Sequence, residues 1–224
     1  MDELAALQAL SDAGKAEQMA AYHKTPRVYL GVGNPQIDDL VAEWRAGRDL
    51  AGRLALARDL WSSDIHEARI AAAKLLTQAR IRPDDAAWSL IATWAPDFDG
   101  WAIADHAMIA GQKRLVADPA RLDQVDGWLD HPNMWTRRAA LVGTLPWAKM
   151  NNPKPADLSA RERVLDWAAR LADDRDTFIQ KAIAWWLRDL SKRDAPRVRA
   201  FLADHGARMK PFARKEAARL VQDR

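Results

Sequence analysis

The chain has 224 residues, of which 49% are hydrophobic, so it is long enough to bury a sizeable core. It contains no cysteine, which excludes a disulfide framework and a thiolate metal site, and no apolar run approaches the ~20 residues of a membrane span. The formal net charge is +3; residues 161–224 hold sixteen Lys and Arg against ten Asp and Glu, a balance of +6, which leaves −3 for residues 1–160. This basic end suits a polyanionic partner, and it also suits ordinary solvated helix surfaces.

Helical periodicity runs through almost the whole sequence. Strong helix formers with apolar residues three and four positions apart fill segments such as 67–76 and 178–188, and no alternating strand pattern occurs. A longer surface loop is expected between Pro146 and Ser159. Helix starts are expected at or near these residues: Asp64, Pro83, Asp97, Asp130, Pro132, Ser159, Asp176 and Pro196. The predicted fold class is all-α.

An internal repeat organises these helices. Its anchors are spaced 33, 34 and 43 residues apart: Trp61, Trp94, Trp128 and Leu171. Paired helices at this period predict an α-solenoid of HEAT-like or related repeats with one concave surface. We expect one domain over residues 1–224, with amino-terminal helices in 1–60, central repeats in 61–200 and a basic capping helix in 201–224. The second helices should bury a stripe formed by Ala73, Leu76, Ile109, Ala140, Ile179 and Ile183.

Asp105 breaks the repeat. The positions eleven residues after the anchors are Ala72, Asp105, Ala139 and Ala182. Asp105 also stands one helical turn after Trp101, on the same face of a helix. A charged residue at a repeat position that otherwise holds alanine, with nothing nearby in the sequence to explain it, indicates a functional or strained site. In isolation, such a Trp and Asp pair is more often structural, with the carboxylate held by a nearby arginine.

The eleven tryptophans divide into two groups by their place in the repeat. We expect eight to pack in the core: Trp44, Trp61, Trp88, Trp94, Trp128, Trp147, Trp167 and Trp186. The other three fall beside the buried stripe together with three cations and Asp105, and they are Trp101, Trp135 and Trp185, with Arg138, Lys181 and Arg188. The five histidines lack metal-ligand spacing, so neither a metal nor a cofactor is expected.

Four stretches resemble one family. They are Tyr22-His-Lys-Thr-Pro-Arg-Val-Tyr-Leu-Gly-Val-Gly-Asn-Pro35, Trp101-Ala-Ile-Ala-Asp105, Met134-Trp-Thr-Arg-Arg-Ala-Ala140 and Phe178-Ile-Gln-Lys-Ala-Ile-Ala-Trp-Trp-Leu-Arg188. A fifth, Pro211-Phe-Ala-Arg-Lys-Glu-Ala217, looks like that family's basic carboxyl-terminal helix. Together they resemble the DNA alkylation repair glycosylases built from HEAT-like repeats, the AlkD-type family. The string over residues 178–188 is the most specific of the five.

The resemblance implies hydrolysis of the N-glycosidic bond of N3- and N7-alkylated purines in duplex DNA. It implies that Asp105 is the catalytic carboxylate and that Trp101 and Trp185 flank the sugar and backbone of the lesion. Arg138 and Arg188 are expected to contact phosphates, and Lys181, Arg214, Lys215 and Trp135 are further candidates for DNA contact. The chain departs from the family at Ala102, where an acid is common, and it has His106 directly after Asp105.

Two functions from different classes stay open at the level of sequence. The favoured one is a monofunctional, metal-independent glycosylase; the other is a non-catalytic helical-repeat protein that binds DNA structures or a protein partner. Lys181, one turn before Trp185, could form a Schiff base and so permit lyase chemistry, which we rank low. Because Met1-Asp2-Glu3 lacks the basic start of a secretory signal, we expect a cytoplasmic location without membrane attachment. A solenoid with such a surface is expected to be a monomer.

Overall fold

The computed structural model describes residues 2–221, and within this range the chain is all-α, as predicted. In these residues no strand forms, and the one isolated bridge joins Val28 to Ile65. The helices are α1 (Asp2–Ala9), α2 (Ala13–His23), α3 (Asn34–Ala46), α4 (Leu50–Ser62), α5 (His66–Leu75), α6 (Asp85–Trp94), α7 (Trp101–Ala117), α8 (Leu122–Asp126), α9 (Met134–Gly143), α10 (Leu145–Lys149), α11 (Pro155–Arg170), α12 (Thr177–Ser191), α13 (Ala195–His205) and α14 (Pro211–Ala218).

The chain divides into two compact units, residues 1–114 and residues 115–224. Short 3-10 turns join several helices, at Ala95–Asp97, Pro119–Arg121, Gly127–Asp130, Leu171–Asp173 and Gly206–Arg208. The described part of the predicted capping segment, 201–221, contains the end of α13, one of these turns and α14. Residues 222–224 of that segment lie outside the described residues. A single domain over 1–224 stays a prediction.

Some predicted helix starts are confirmed. Asp176 is the N-cap of α12, where its carboxylate accepts a hydrogen bond from the backbone N–H of Phe178 at 2.7 Å. Pro196 is the second residue of α13. Pro83 and Pro132 each lie two residues before a helix, as expected of residues near helix entries.

Asp64 also lies two residues before a helix, since α5 begins at His66, and its carboxylate pairs with Arg27 and Arg69 instead of capping that helix. Other predicted starts are wrong. Asp97 and Asp130 each end a 3-10 turn, so α7 and α9 begin later in the chain. Helix α11 begins at Pro155 and not at Ser159, because the Asp157 carboxylate accepts the Lys154 N–H at 2.9 Å and fixes the first turn there.

The core of the first unit is built around α5. This helix packs against α3 and α4, and nine of its ten residues are buried, so it has almost no solvent-exposed face. Ala71, Ala72 and Ala73 are 0% exposed, and such small side chains let the neighbouring helices approach closely. Two repeat anchors meet directly: the rings of Trp61 and Trp94 stack with centroids 4.2 Å apart.

Helix α12 has the corresponding place in the second unit, where it packs against α9, α10, α13 and α14. Gln180, which is fully buried, fastens two neighbouring turns to it. Its side-chain amide donates to the carbonyls of Ala172 and Asp174 at 2.9 and 2.8 Å, and its oxygen accepts the Lys210 N–H at 2.8 Å. The backbone just before α12 and the start of α14 are therefore held by one side chain.

The predicted buried stripe is confirmed except at one position. The buried members are Ala73, Leu76, Ala140, Ile179 and Ile183, each at 0% exposure. Ile109 was expected to join them, but 43% of its surface is exposed. The prediction is wrong there because the side chains of α3 and α5 leave a cavity beside Ile109 instead of covering it.

Candidate functional site

Helix α7 carries the predicted catalytic pair in the first unit. Trp101 begins the helix and Asp105 follows one turn later; both side chains are partly exposed, while the three residues between them are buried. The repeat-equivalent residues Ala72, Ala139 and Ala182 are at most 2% exposed. The position that is sealed in other repeats is thus open to solvent where the carboxylate stands.

Aromatic rings surround Trp101. Tyr22 meets it edge to face with ring centroids 6.2 Å apart, and the centroid of the His23 ring lies 5.4 Å away. His23 in turn contacts His66 at 4.6 Å, and Tyr29 contacts His66 at 4.7 Å. The indole next to Asp105 is therefore part of a packed aromatic cluster, formed by Tyr22, His23, Tyr29, His66 and Trp101. Such ring pairs restrict orientation as well as burying area.

Glu67 fixes the segment that supplies these rings, and sequence reasoning missed it. Its carboxylate is fully buried and accepts the backbone N–H groups of Leu30, Gly31 and Val32, at distances between 2.7 and 3.2 Å. Three donors converging on a carboxylate are charge-assisted bonds, the strong class. A signal was present in the sequence, since Glu67 stands in a helix otherwise rich in alanine.

Gly31 allows the chain to reach Glu67. Its φ is +78°, a left-handed conformation that glycine adopts without steric cost. A Cβ atom there would lie 2.2 Å from the carbonyl oxygen of Asp12 and 2.7 Å from the nitrogen of Ala16. The glycine therefore serves close packing of two backbone segments. The Gly31-Val-Gly33 pair is structural.

Arg27 ties the same segment to the entry of α7. Its side chain is 6% exposed, and its Nε donates to the Asp99 carboxylate at 2.7 Å, two residues before Trp101. The guanidinium also pairs with Asp64. The backbone N–H of His66 donates to the carbonyl of Val28 at 3.0 Å. Segment 22–32 is therefore held at both ends, which fixes the aromatic cluster beside Asp105.

Two histidines of the aromatic cluster have lowered pKa values. The pKa of His66 is lowered to about 3, chiefly by burial and also by the charges of His23, Arg27 and His106. Burial also lowers the pKa of His23, against the opposing effect of Glu67. His66 is 3% exposed, and its Nδ1 has no hydrogen-bond partner within residues 2–221. A neutral ring packs against the other aromatic side chains without a charge to solvate.

In the second unit, α9 positions Trp135 and Arg138. Trp135 is partly exposed and its ring lies 4.7 Å from that of Phe178. Arg138 is only 6% exposed, and its Nη1 donates to the carbonyl of Phe178 at 2.9 Å. The two motifs that contain these residues therefore meet at Phe178. Arg138 is a largely buried cation, whereas the sequence placed it on a DNA-facing surface.

Helix α12 carries the other tryptophan and two cations. Trp185 and Arg188 are partly exposed and Lys181 is exposed. The Lys149 ammonium lies 5.5 Å from the Trp185 ring centroid, and the Lys181 ammonium lies 5.0 Å from that of Phe178. Arg188 pairs with Glu216 of α14 at 2.5 Å. This pair lowers the pKa of the Glu216 carboxyl.

The predicted cations of the last helix are at the surface. Arg214 and Lys215 are both exposed on α14, and neither forms an ion pair with a residue that the structure describes. The Arg214 side chain passes close to Gly206, where an added Cβ would lie 3.4 Å from its Nε. Both side chains are available to a polyanion.

Exposure separates the eleven tryptophans in the way the repeat predicted. The eight assigned to packing are at most 8% exposed, and the three partly exposed ones are Trp101, Trp135 and Trp185. Among the described residues, no group of three or more His, Asp or Glu side chains could hold a metal ion. No helix in the range 2–221 is both long enough and apolar enough to cross a membrane.

Comparisons with known proteins found a family model and several similar solved structures. No curated protein is similar enough in sequence to count as a match. A predicted DNA alkylation repair enzyme from Enterococcus faecalis has a solved structure that is similar with a TM-score of 0.79, at 19% identity over 96% of this chain and 98% of that one. Streptococcus mutans AlkD2 is similar with a TM-score of 0.63, at 18% identity over 86% and 90% of the two chains.

The structure of smu.31 from Streptococcus mutans UA159 is also similar, with a TM-score of 0.63 at 19% identity over 84% of this chain and 91% of that one. At these identities the likeness shows a shared helical-repeat fold. The sequence itself matches the model of one family, described as DNA alkylation repair enzyme, over residues 4–221, which is nearly the whole chain. The chain therefore belongs to the DNA alkylation repair enzymes, and membership of this family implies that it binds DNA.

Proposed function

We propose that this chain is a DNA glycosylase that hydrolyses the N-glycosidic bond of cationic N3- and N7-alkylated purines in duplex DNA. One observation carries the proposal: Asp105 is partly exposed one turn from the partly exposed Trp101, at a repeat position where Ala72, Ala139 and Ala182 are buried. A protein that only binds DNA gains nothing from a carboxylate on its binding face, because the carboxylate repels phosphates.

The chemistry suits so small a catalytic set. Alkylation at N3 or N7 gives the purine a positive charge, so the base takes the electron pair of the C1′–N bond and leaves as a neutral molecule. The deoxyribose becomes oxocarbenium-like, and the Asp105 carboxylate stabilises that positive charge. Water then adds to C1′ and loses a proton, which leaves an abasic site. The mechanism needs no general acid for the leaving group, no metal and no cofactor.

Indole rings add to the stabilisation of the sugar. A cation held over a tryptophan face gains roughly 0.5–2 kcal/mol. In this proposal Trp101, one turn from Asp105, supplies such a face, and Trp185 is assigned the same role. The aromatic cluster fixes the ring of Trp101, so little ordering of its side chain remains to be done when DNA binds.

Phosphate contacts supply most of the affinity in this proposal. Lys181, Arg188, Arg214 and Lys215 are the exposed or partly exposed cations assigned to them. Arg138 is assigned a phosphate contact as well, and because it is 6% exposed, that contact depends on a small accessible edge. Trp135 is assigned a contact with the DNA strand. The enzyme would act as a monomer in the cytoplasm.

A base-release assay decides between this proposal and a non-catalytic binder. The substrate is a duplex that contains 7-methylguanine, and the products are analysed as free base and as strand breaks, with and without heating. We expect released base and breaks that require heating, because a hydrolytic enzyme leaves an intact abasic strand. Tight binding without base release would support the binder, and breaks without heating would assign lyase chemistry to Lys181.

A further inference from the structure

A cavity of about 330 Å³ lies in the first unit beside Asp105, and the proposed mechanism does not use it. Three helices form it, with residues contributed by α3, by α5 and the position just after it, and by α7. Its lining residues are Asp38, Val41, Arg45, Lys74, Thr77, His106 and Ile109. The volume is at the lower end of the range of sites that bind small ligands, about 300–1,000 Å³.

Two residues of α7, His106 and Ile109, line the cavity. Ile109 stands four residues after Asp105, and residues at this spacing share a helix face. It is also one of the few large apolar side chains left exposed. Trp101, Asp105 and Ile109 therefore form one continuous stripe. A DNA strand whose sugar lies at Asp105 and that continues along this stripe passes the cavity.

Electrostatic coupling links the cavity to Asp105. The pKa of His106 is lowered, chiefly by burial, and its hydrogen bond to the Ala102 carbonyl opposes this. Lys74 lowers the same pKa, while Asp105 and Asp38 raise it. Asp105 and the two cavity charges, Lys74 and Asp38, are therefore all close enough to His106 to affect its pKa.

Two cations and one carboxylate line the cavity. The Lys74 ammonium is 2.5 Å from the Asp38 carboxylate and its side chain is 18% exposed, so Asp38 holds it in one orientation. Arg45, in the last turn of α3, is partly exposed and forms no ion pair with any residue in the range 2–221. The net charge of the lining is positive. Ile109, which is 43% exposed, provides apolar surface beside these charges, whereas Val41 is only 2% exposed.

Cations next to an apolar side chain suit a ligand that has an anionic group next to a nonpolar one. The sugar-phosphate backbone of DNA is such a ligand, because each phosphodiester is joined to a deoxyribose. We propose that the cavity binds the sugar-phosphate backbone of DNA next to the nucleotide at Asp105, with Arg45 and Lys74 on the phosphate and Ile109 on the sugar. The inference rests on the proposed function in taking DNA as the ligand. The two cations offset the repulsion that Asp105 exerts on the strand it acts on.

The first test measures the salt dependence of binding to undamaged duplex, which requires no base release. Each lost phosphate contact reduces the slope of log K against log salt by about 0.9. We expect Arg45→Gln to reduce the slope by about one such unit. Arg58→Gln is the matched control, because Arg58 is exposed on α4 and does not line the cavity. An unchanged slope for Arg45→Gln, or equal changes in both variants, overturns the proposal.

The second test locates the contact. Single phosphates of a duplex with a tetrahydrofuran abasic analogue are replaced in turn by neutral methylphosphonates, and each duplex is bound to wild type and to Arg45→Gln. We expect a phosphate adjacent to the analogue whose replacement weakens wild-type binding but weakens binding of the variant no further. Additive losses at every position contradict the proposal. If a phosphate couples to Arg45 but an Asp105 variant still excises the base, only the catalytic assignment of Asp105 fails. If the Asp105 variant loses excision but no phosphate couples to Arg45, only the cavity proposal fails.

Discussion

The surfaces of the two units differ in the kind of charge they combine with tryptophan. In the first, the exposed stripe of α7 places a carboxylate, Asp105, one turn from Trp101. In the second, α12 places Lys181 and Arg188 on either side of Trp185 in the sequence, and its repeat equivalent of Asp105 is a buried alanine. Equivalent helices of the repeat thus carry different charges. The carboxylate on α7 is suited to a cationic transition state, and the cations on α12 are suited to phosphate.

The units also differ in how these side chains are held. The aromatic cluster around Trp101 depends on a fully buried carboxylate, Glu67, which binds three backbone N–H groups. In the second unit, Arg188 is held by a partly exposed ion pair with Glu216. Precise placement is a requirement of chemistry, whereas phosphate binding tolerates mobile cations. Changes to Trp101, Asp105 and the cluster that holds them should therefore affect excision, and changes to Lys181 and Arg188 should affect affinity.

The largest expected effect is on stability, at Glu67. Glu67→Ala leaves three N–H groups without their acceptor, and each orphaned buried donor costs about 1–3 kcal/mol. We expect the free energy of unfolding to fall by about 3 kcal/mol or more, with loss of hydrogen-exchange protection at residues 30–32. Thermal unfolding and exchange measurements check this. Glu43→Ala, an exposed site on α3, should change stability little; equal effects would contradict the role of Glu67.

The next effect tests the two units through their tryptophans. Trp101→Ala removes an indole face worth roughly 0.5–2 kcal/mol in the transition state, which is about 2- to 30-fold in rate. Single-turnover release of 7-methylguanine should slow by that factor. Trp135→Ala is the comparison, and we expect it to weaken DNA binding while leaving the single-turnover rate nearly unchanged. Equal slowing in both variants would erase the distinction between the units.

Much of this arrangement could be predicted from the sequence because it repeats. Helical periodicity predicted the all-α fold, and position in the repeat separated the buried tryptophans from Trp101, Trp135 and Trp185. The position of a residue in the repeat predicts whether its side of the helix is buried. Asp105 was therefore conspicuous, because the equivalent residue in the other repeats is alanine. Ile109 was misplaced because its column is covered in other repeats, but α3 and α5 leave a cavity at its position.

Long-range contacts could not be read from the sequence. Glu67 receives N–H groups from residues 35 to 37 positions earlier, and local periodicity contains no information on such pairs. Arg138 looked like a surface cation, yet its guanidinium reaches the Phe178 carbonyl forty residues later and is buried there. Asp64 was expected to mark a helix start, and its pairing with Arg27 and Arg69 could not be foreseen because only the fold brings these residues together.

A pH titration of stability tests the buried histidine of the first unit. The pKa of His66 falls from 6.5 to about 3 on folding, so below pH 6.5 the unfolded chain binds a proton that the native chain refuses. Stability should therefore fall with decreasing pH, by up to about 1.4 kcal/mol per pH unit from this group. His66→Phe should show a shallower slope between pH 6 and pH 4, in unfolding measured at each pH. An identical slope would show that His66 does not bind this proton differentially.

The smallest effect concerns affinity in the second unit. Arg188→Ala should weaken binding to duplex DNA similarly for all sequences and reduce the slope of log K against log salt by about one unit. Its partner Glu216 retains Arg219 at 3.6 Å, so the variant should fold normally. Arg197→Ala is the control, since Arg197 is paired with Glu162 on the neighbouring helix and has no assigned DNA contact. The prediction fails when both variants bind alike.

The most direct test of the account is single-turnover release of 7-methylguanine by Asp105→Asn, with duplex affinity measured on the same preparation. Removing one electrostatic stabiliser of a transition state costs about 10²–10³ in rate. We predict a loss of that size with affinity equal to or slightly above that of wild type, because a charge that repels phosphates has been removed. Release at the wild-type rate would contradict the catalytic role of Asp105, and so would a loss explained entirely by weaker binding.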